Sequence, residues 1–359
     1  MSFTRRLLSI YRNIQYFVCG RQKYGIMPAG TLCSHDPFEE DINHGDVVHP
    51  CVRYISEGYE GHCWWMVYTP YYAANDKTEN PILCYGENNN PEPPTQWKVY
   101  CQVQGQPAKG YNSDPTLLYA NGILYVFWRE SETQRCDAHG FVRATFGAIV
   151  RDGKINNIFG PIVGTSDTER DPETSPTIIH EPDGTFRCLA MDLTFHSKFI
   201  KSLPPQAKGI VLKLALILDL LGIWSQQKSH GIAQWVSKTI DGKYALDRTI
   251  KFKNKNALYR PWHMDFFEWN GRLYAIVQTN QCNADICLAV SDDRVHFRFV
   301  GKPIMTNCTC KKLGIYKPTA GVVDGIFYLY YTAQNIDNRS LNRLYLSKMN
   351  FNDLIDQLR

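Results

Sequence analysis

A proline-led phrase recurs five times along this chain: a polar residue, a proline, an apolar run, a tight Gly or Asn/Asp turn, and a second, aromatic-rich run. The copies begin at His49-Pro50, Asp114-Pro115, Ser175-Pro176, Arg260-Pro261 and Lys317-Pro318, with turns such as Asn121-Gly122, Asp183-Gly184, Asn270-Gly271 and Asp324-Gly325. The prolines are spaced by 65, 61, 85 and 57 residues. That is longer than a helical solenoid unit and suits a four-stranded blade with its loops. Asn-Gly and Asp-Gly supply the positive φ angles of a hairpin turn, so each copy reads as two antiparallel strands followed by further strands. Five such units arranged radially leave only short, protected sheet edges, and the sequence therefore predicts an all-β fold, a five-bladed β-propeller.

Two stretches interrupt the repeat. Residues 1–26 carry apolar residues at helical spacing with arginines between them over 5–17, and residues 194–229 form an insertion that lengthens the third interval. The array is thus expected over 27–359, decorated by an N-terminal helix and a helical insertion. The apolar run 210–224 is about 15 residues long, below the roughly 20 needed to span a bilayer. Both stretches suit either of two places: an anionic membrane surface, with Lys198, Lys201, Lys208 and Lys213 beside the second, or the outside of a blade.

A net charge of +4, spread through the repeats, argues against a nucleic-acid polymer as partner. The twelve cysteines are scattered, and the N-terminus lacks the continuous apolar core of a signal peptide. They read as reduced thiols in a cytoplasmic protein, with the inner face of the membrane as the alternative location. Cys308-Thr309-Cys310 has no matching pair elsewhere and reads as loop thiols rather than a zinc site. No cofactor and no metal ligand set is predicted.

Inner strands of a propeller begin near the axis, so His49, Asp114, Ser175, Arg260 and Lys317 should ring one funnel. Asp46, Tyr71, Glu173, Trp262, Tyr316 and Arg129 are expected near the same opening, and Glu79 falls either at its rim or in a solvated loop. Strand alternation puts His263 and Asp265 on one face, as a catalytic pair or as a buried tie between blades. Trp64, Trp65, Tyr71, Tyr72, Trp128 and Trp262 are candidate sugar platforms, with packing between blades as the competing role. At funnel positions, loss of Asp114 or Asp265 is expected to shift stability by only about 1–2 kcal/mol.

With these residues in view, 40–350 resembles the five-bladed carbohydrate-active enzymes that include glycoside hydrolase families 43, 32 and 130. The likeness rests above all on Ser113-Asp114-Pro115 and Pro261-Trp262-His263-Met264-Asp265. The block Gly45-Asp46-Val47-Val48-His49-Pro50, with Tyr68-Thr69-Pro70-Tyr71 and Glu79-Asn80-Pro81, is also similar to propellers associated with bacterial surface glycans. The resemblance implies action on a glycosidic bond, with an acid heading blade one, a pKa-tuning acid on blade two and a general-acid Glu on blade three. Asp114 matches the second. His49 stands where the first is expected, with Asp46 three positions earlier, and Thr174 stands where the third is expected, with Glu173 adjacent.

On that reading Asp114 is the central acid, Glu173 or Asp265 the proton donor or base, and His49 and His263 orient hydroxyls. Asp46, Tyr71, Ser175, Trp262 and Tyr316 contact a glycan. Two alternatives stay open. One is transfer from a sugar-nucleotide or sugar-phosphate donor, for which Arg260, Lys317 and Arg129 would hold the phosphate. The other is a noncatalytic glycan-binding propeller.

Overall fold

The computed structural model describes residues 24–35, 46–71, 75–107, 110–132, 142–164, 174–193, 230–250, 261–279, 285–307, 314–334 and 342–359, with Pro204, Ala207 and Phe252 besides. These residues form five sheets, antiparallel except where Ser34–His35 pairs with the edge of blade 1, and each lays one of its terminal strands innermost. The inner strands are Val47–Tyr59, Tyr111–Ala120, Thr174–His180, Pro261–Trp269 and Ile315–Val323, one from each of blades 1 to 5. All five repeated prolines fall at or near their starts, as the repeat predicts. The proposed helices at 5–17 and 210–224 lie outside the described residues. Among the described residues the one α-helix is C-terminal, Phe351–Leu358, and none is long and apolar enough to cross a membrane.

Blade 5 is completed from the other end of the chain. Its strands Ile315–Val323, Ile326–Gln334 and Asn342–Asn350 are joined on the outside by Thr31–Leu32, which pairs antiparallel with Leu346 and Tyr345. The C-terminal helix follows the last strand directly. Asn350 caps it by accepting from the backbone N–H groups of Asn352 and Asp353, and Phe351, Leu354 and Leu358 are buried along one face. Phe351 packs against Phe267, Tyr274 and Phe327, with ring centroids 6.1, 5.3 and 5.7 Å away, and so ties blade 4 to blade 5. Phe351→Ala is therefore expected to cost about 3–5 kcal/mol in urea unfolding. A loss under about 1 kcal/mol would remove the helix from the closure.

Large aromatics fill the spaces between blades. Trp64, Trp65 and Trp128 are fully buried, so they are wedges rather than sugar platforms, while Tyr72 lies outside the described residues. Trp128 joins Trp65 in the cluster between blades 1 and 2. Among the described residues Cys33, Cys51, Cys63, Cys84, Cys101, Cys188 and Cys287 are free thiols; Cys308 and Cys310 lie outside the described residues.

Each inner strand is broken near its start. The strand register slips between Val48 and Cys51, Ser113 and Thr116, Thr174 and Thr177, Pro261 and His263, and Tyr316 and Thr319. Proline has no N–H to give the ladder and excludes the helical region for the residue before it, so an x-Pro step in a strand is accommodated as a bulge. At the bulges His49, Asp114, Ser175 and Lys317 take positive φ values of 54°, 49°, 48° and 25°, away from the extended conformation that a following proline favours. In blade 4 the extra residue is Trp262, just after the proline, and Arg260 lies outside the described residues. Positive φ costs an ordinary side chain about 1–2 kcal/mol. This strain recurs in four blades and coincides with the residues that meet at the axis, the kind of place where strain is retained for function.

Candidate active site

The bulges deliver one polar group after another to a common centre. Asp114, 1% exposed, holds the middle. Its Oδ1 lies 3.4 Å from His49 Nε2, 3.7 Å from His263 Nδ1 and 3.8 Å from Lys317 Nζ, while Oδ2 pairs with Arg129 at 3.0 Å. Tyr316 spans the two imidazoles, its hydroxyl 3.2 Å from His49 Nε2 and 2.8 Å from His263 Nε2. Ser175 Oγ sits 2.5 Å from His263 Nδ1. On its other edge His49 Nδ1 meets Thr69 Oγ1 at 2.8 Å, Ser113 Oγ at 3.4 Å and the Glu79 carboxylate at 4.0 Å. Every blade contributes.

Burial alone would raise the Asp114 carboxyl, but the Arg129 guanidinium, with the Lys317 ammonium, outweighs it and holds it well below the usual carboxylate range. Burial drives both imidazoles the other way, His49 down to about 3 and His263 well below its ordinary value, against the pull of Asp114. Burial likewise lowers the Lys317 ammonium and lifts the Tyr316 phenol well above its usual range. At neutral pH the centre is an ionised carboxylate between two uncharged imidazoles, beside a phenol that keeps its proton.

That donor set suits a divalent metal ion. His49, Asp114 and His263 each offer one ligand atom, and these atoms lie within 4.8 Å of one another. Ligands about 2.0–2.6 Å from a shared ion stand at most about 4–5 Å apart, so the cluster needs little or no closing. The imidazoles are already in the neutral form that ligation requires. His49 shows the companion feature of a metal-binding histidine: Thr69 and Glu79 lie at Nδ1, where they fix the ring and leave Nε2 turned toward Asp114.

The other sequence-predicted residues divide clearly. Ser175, Tyr316, Lys317 and Arg129 belong to the cluster, but Lys317 and Arg129 stand against Asp114, so as placed they neutralise the site's own carboxylate rather than wait for a phosphate. Trp262 stands edge-on to His263, ring centroids 6.0 Å apart. Tyr71 is half-buried after the second strand of blade 1, and its phenol contributes to the field at Tyr316. Asp46, buried beside the first inner strand, accepts the backbone N–H of Asn342 at 2.8 Å and latches blade 1 to blade 5. Glu173 and Arg260 lie outside the described residues.

Asp265 does not join Asp114. Arg53 grips both of its oxygens, at 2.8 and 2.7 Å, and Thr319 donates to Oδ2 at 2.5 Å. This tie between blades 4, 1 and 5 is the structural alternative to a catalytic role. Thr319 and Arg53 had no signal in the sequence, and Thr69 appeared only within the Tyr68-Thr69-Pro70-Tyr71 motif; their places at the centre follow from strand register. Glu79 was legible as an acid near the funnel, and with only 5% of it exposed it lies inside rather than in a solvated loop.

No family model matches the sequence, and no curated protein matches it. Solved structures do match in shape. An N-acetylgalactosamine deacetylase from F. plautii, in complex with blood group B trisaccharide, superposes with a TM-score of 0.64 at 16% identity, over 94% of this chain and 98% of that one. A GH43 enzyme from Xanthomonas citri gives 0.54 at 11% identity, over 86% and 88%. A GH43 enzyme of the Bacteroides ovatus xyloglucan locus gives 0.57 at 12%, over 85% and 52%. The protein therefore shares the five-bladed fold of carbohydrate-active propellers, the resemblance its inner-strand motifs imply.

Proposed function

We propose that this chain is a carbohydrate-active hydrolase working at the propeller axis, and that it removes an acyl group from a sugar with the help of a divalent cation. The observation that carries this reading is the convergence of His49, Asp114 and His263. A bound divalent ion would polarise the acyl carbonyl and make water nucleophilic near neutral pH. Asp114 supplies the negative charge of the set, and Arg129 and Lys317 keep it ionised. Thr69 and Glu79 orient His49. Tyr316, half-buried where most of its neighbours are fully buried, presents a proton-bearing phenol that suits the oxygen on which charge develops.

The glycosidic-bond reading asks for two carboxyl groups at a controlled separation, one of them protonated. Among the described residues Asp114 is held ionised, Asp265 is locked to Arg53, and Glu79 stands on the far side of His49. The F. plautii protein that shares this fold is an N-acetylgalactosamine deacetylase, an activity that agrees with acyl transfer to water rather than glycoside cleavage.

An aryl N-acetylhexosaminide decides between the two. Acetate release that stops on chelation, returns with added divalent metal and is lost in His263→Gln is the expected result, with a drop on the order of 10²-fold or more for the variant. Release of the aryl alcohol, unaffected by chelator, would restore the glycosidase.

A further inference from the structure

A cavity lies at the other end of the axis from the Asp114 cluster. It measures about 420 Å³ and is lined by Arg53, Leu118, Ile179, Phe267 and Val322, one residue from each of the five inner strands. These positions follow the bulges by three to five residues, beyond a partition in which Thr319 donates to Asp265 and accepts from the Val52 N–H, and Cys51 meets Thr116. The cavity and the Asp114 cluster thus occupy opposite sides of one polar layer.

The lining reveals what the cavity offers. Residues 117–119, 177–180, 266–268 and 320–323 line it as consecutive runs. Successive side chains in a strand point to opposite faces, so an unbroken run means that the strand edge itself borders the space. Each inner strand is the terminal strand of its sheet and pairs on one side only. Edge N–H and C=O groups from several directions therefore face the cavity, between aromatic walls such as Tyr54, Tyr119 and Phe266.

Its charges are already matched: Arg53 is held by Asp265, and Glu268 by Arg294 at 2.7 Å. An anion or a cation would have to displace an internal partner. A purely apolar guest would strand the backbone groups without hydrogen bonds. A peptide strand could pair with one edge and would ignore the rest. A compact molecule with hydroxyls on every side and C–H faces between them fits all of these surfaces, and the volume falls within the roughly 300–1,000 Å³ of small-molecule sites.

We infer that this basal cavity is a second binding site, for an uncharged polyhydroxy compound the size of a monosaccharide. It is separate from the axial cluster and independent of the reaction assigned there. Xylitol serves as the probe, in calorimetric titrations of the full chain and in soaked crystals. One saturable site with millimolar affinity is expected, unaffected by equimolar sulfate, with xylitol density beside Val322.

Val322→Trp, on blade 5, and Leu118→Trp, on blade 2, each fill the space and should weaken binding tenfold or more while leaving the hydrolytic activity intact. His263→Gln should leave xylitol affinity within twofold. Wild-type protein without saturable binding, competition by sulfate, or affinity lost in His263→Gln but kept in the tryptophan variants would overturn the inference. Should neither tryptophan variant fold, the soaked wild-type crystal decides: density in the cavity supports the site, and density only at the axial cluster refutes it.

Discussion

Asp114→Asn is expected to destroy activity and to destabilise the protein heavily at the same time. The carboxylate is surrounded by Arg129, Lys317 and two imidazoles, all buried. Removing one partner of a buried ion pair leaves charge without compensation, at a cost of about 3–5 kcal/mol. On the proposed metal-assisted reaction, losing one of the groups that support several kcal/mol of transition-state stabilisation converts, at about 1.4 kcal/mol per decade, to a rate decrease on the order of 10³-fold. Urea midpoints and acetate release, both measured on folded protein, test the two halves separately. A variant that unfolds like the parent would mean that Arg129 and Lys317 do not depend on Asp114, and one that turns over normally would remove it from the chemistry. The shift of about 1–2 kcal/mol expected from the sequence assumed no critical core contact; the buried partners of Asp114 raise that expectation.

Asp265→Asn should separate the same two properties. Its loss frees a half-buried guanidinium and a buried threonine, at about 2–4 kcal/mol, while the turnover of the folded fraction stays near the parent value. Burial pushes this carboxyl up, but Arg53 and Thr319 bring it below its ordinary value. Since the folded pKa is below the unfolded one, near 3.9, the pair's contribution is whole above about pH 5 and fades as pH falls through the folded value. The stability gap between parent and variant should therefore narrow in acid and be constant from pH 5 upward. Replacing both partners with apolar residues, Arg53→Met with Asp265→Leu, should recover much of the loss, because an emptied ion pair costs less than a broken one. A widening gap below pH 4, or selective loss of turnover with normal stability, would return Asp265 to the active site.

The architecture was legible because proline leaves the same mark in every blade. Five x-Pro steps fixed the number of blades, the innermost strands and the residues turned toward the axis, and four of the five residues before proline are found where that logic puts them or beside it. Chemistry was less legible. His49, Asp114 and His263 are separated by 65 and 149 positions, and nothing in their local spacing sets them apart from three unrelated polar residues. Their common role exists only after the ring closes. Alternation along one strand placed His263 and Asp265 on one side, yet each found its partners across the axis: His263 in Ser175 and Tyr316, Asp265 in Arg53 and Thr319. The C-terminal helix went unremarked because its three buried residues, Phe351, Leu354 and Leu358, make a short apolar stripe beside the stronger signal of the preceding strands.

The pairing of Thr31–Leu32 with the last blade makes this protein's birth order matter. Made from the N-terminus, the chain releases its closing strand first and must hold it unmated until Tyr345 and Leu346 emerge more than three hundred residues later. A nascent chain ending at residue 310 already owns His49, Asp114 and His263, but lacks Tyr316 and Lys317 and carries two sheet faces with no neighbour. Such an open arc is the stage at which exposed edges and apolar faces invite misassociation. The axial cluster is thus completed only by blade 5, and a chain cut short before that blade carries His49, Asp114 and His263 without Tyr316 and Lys317 beside them.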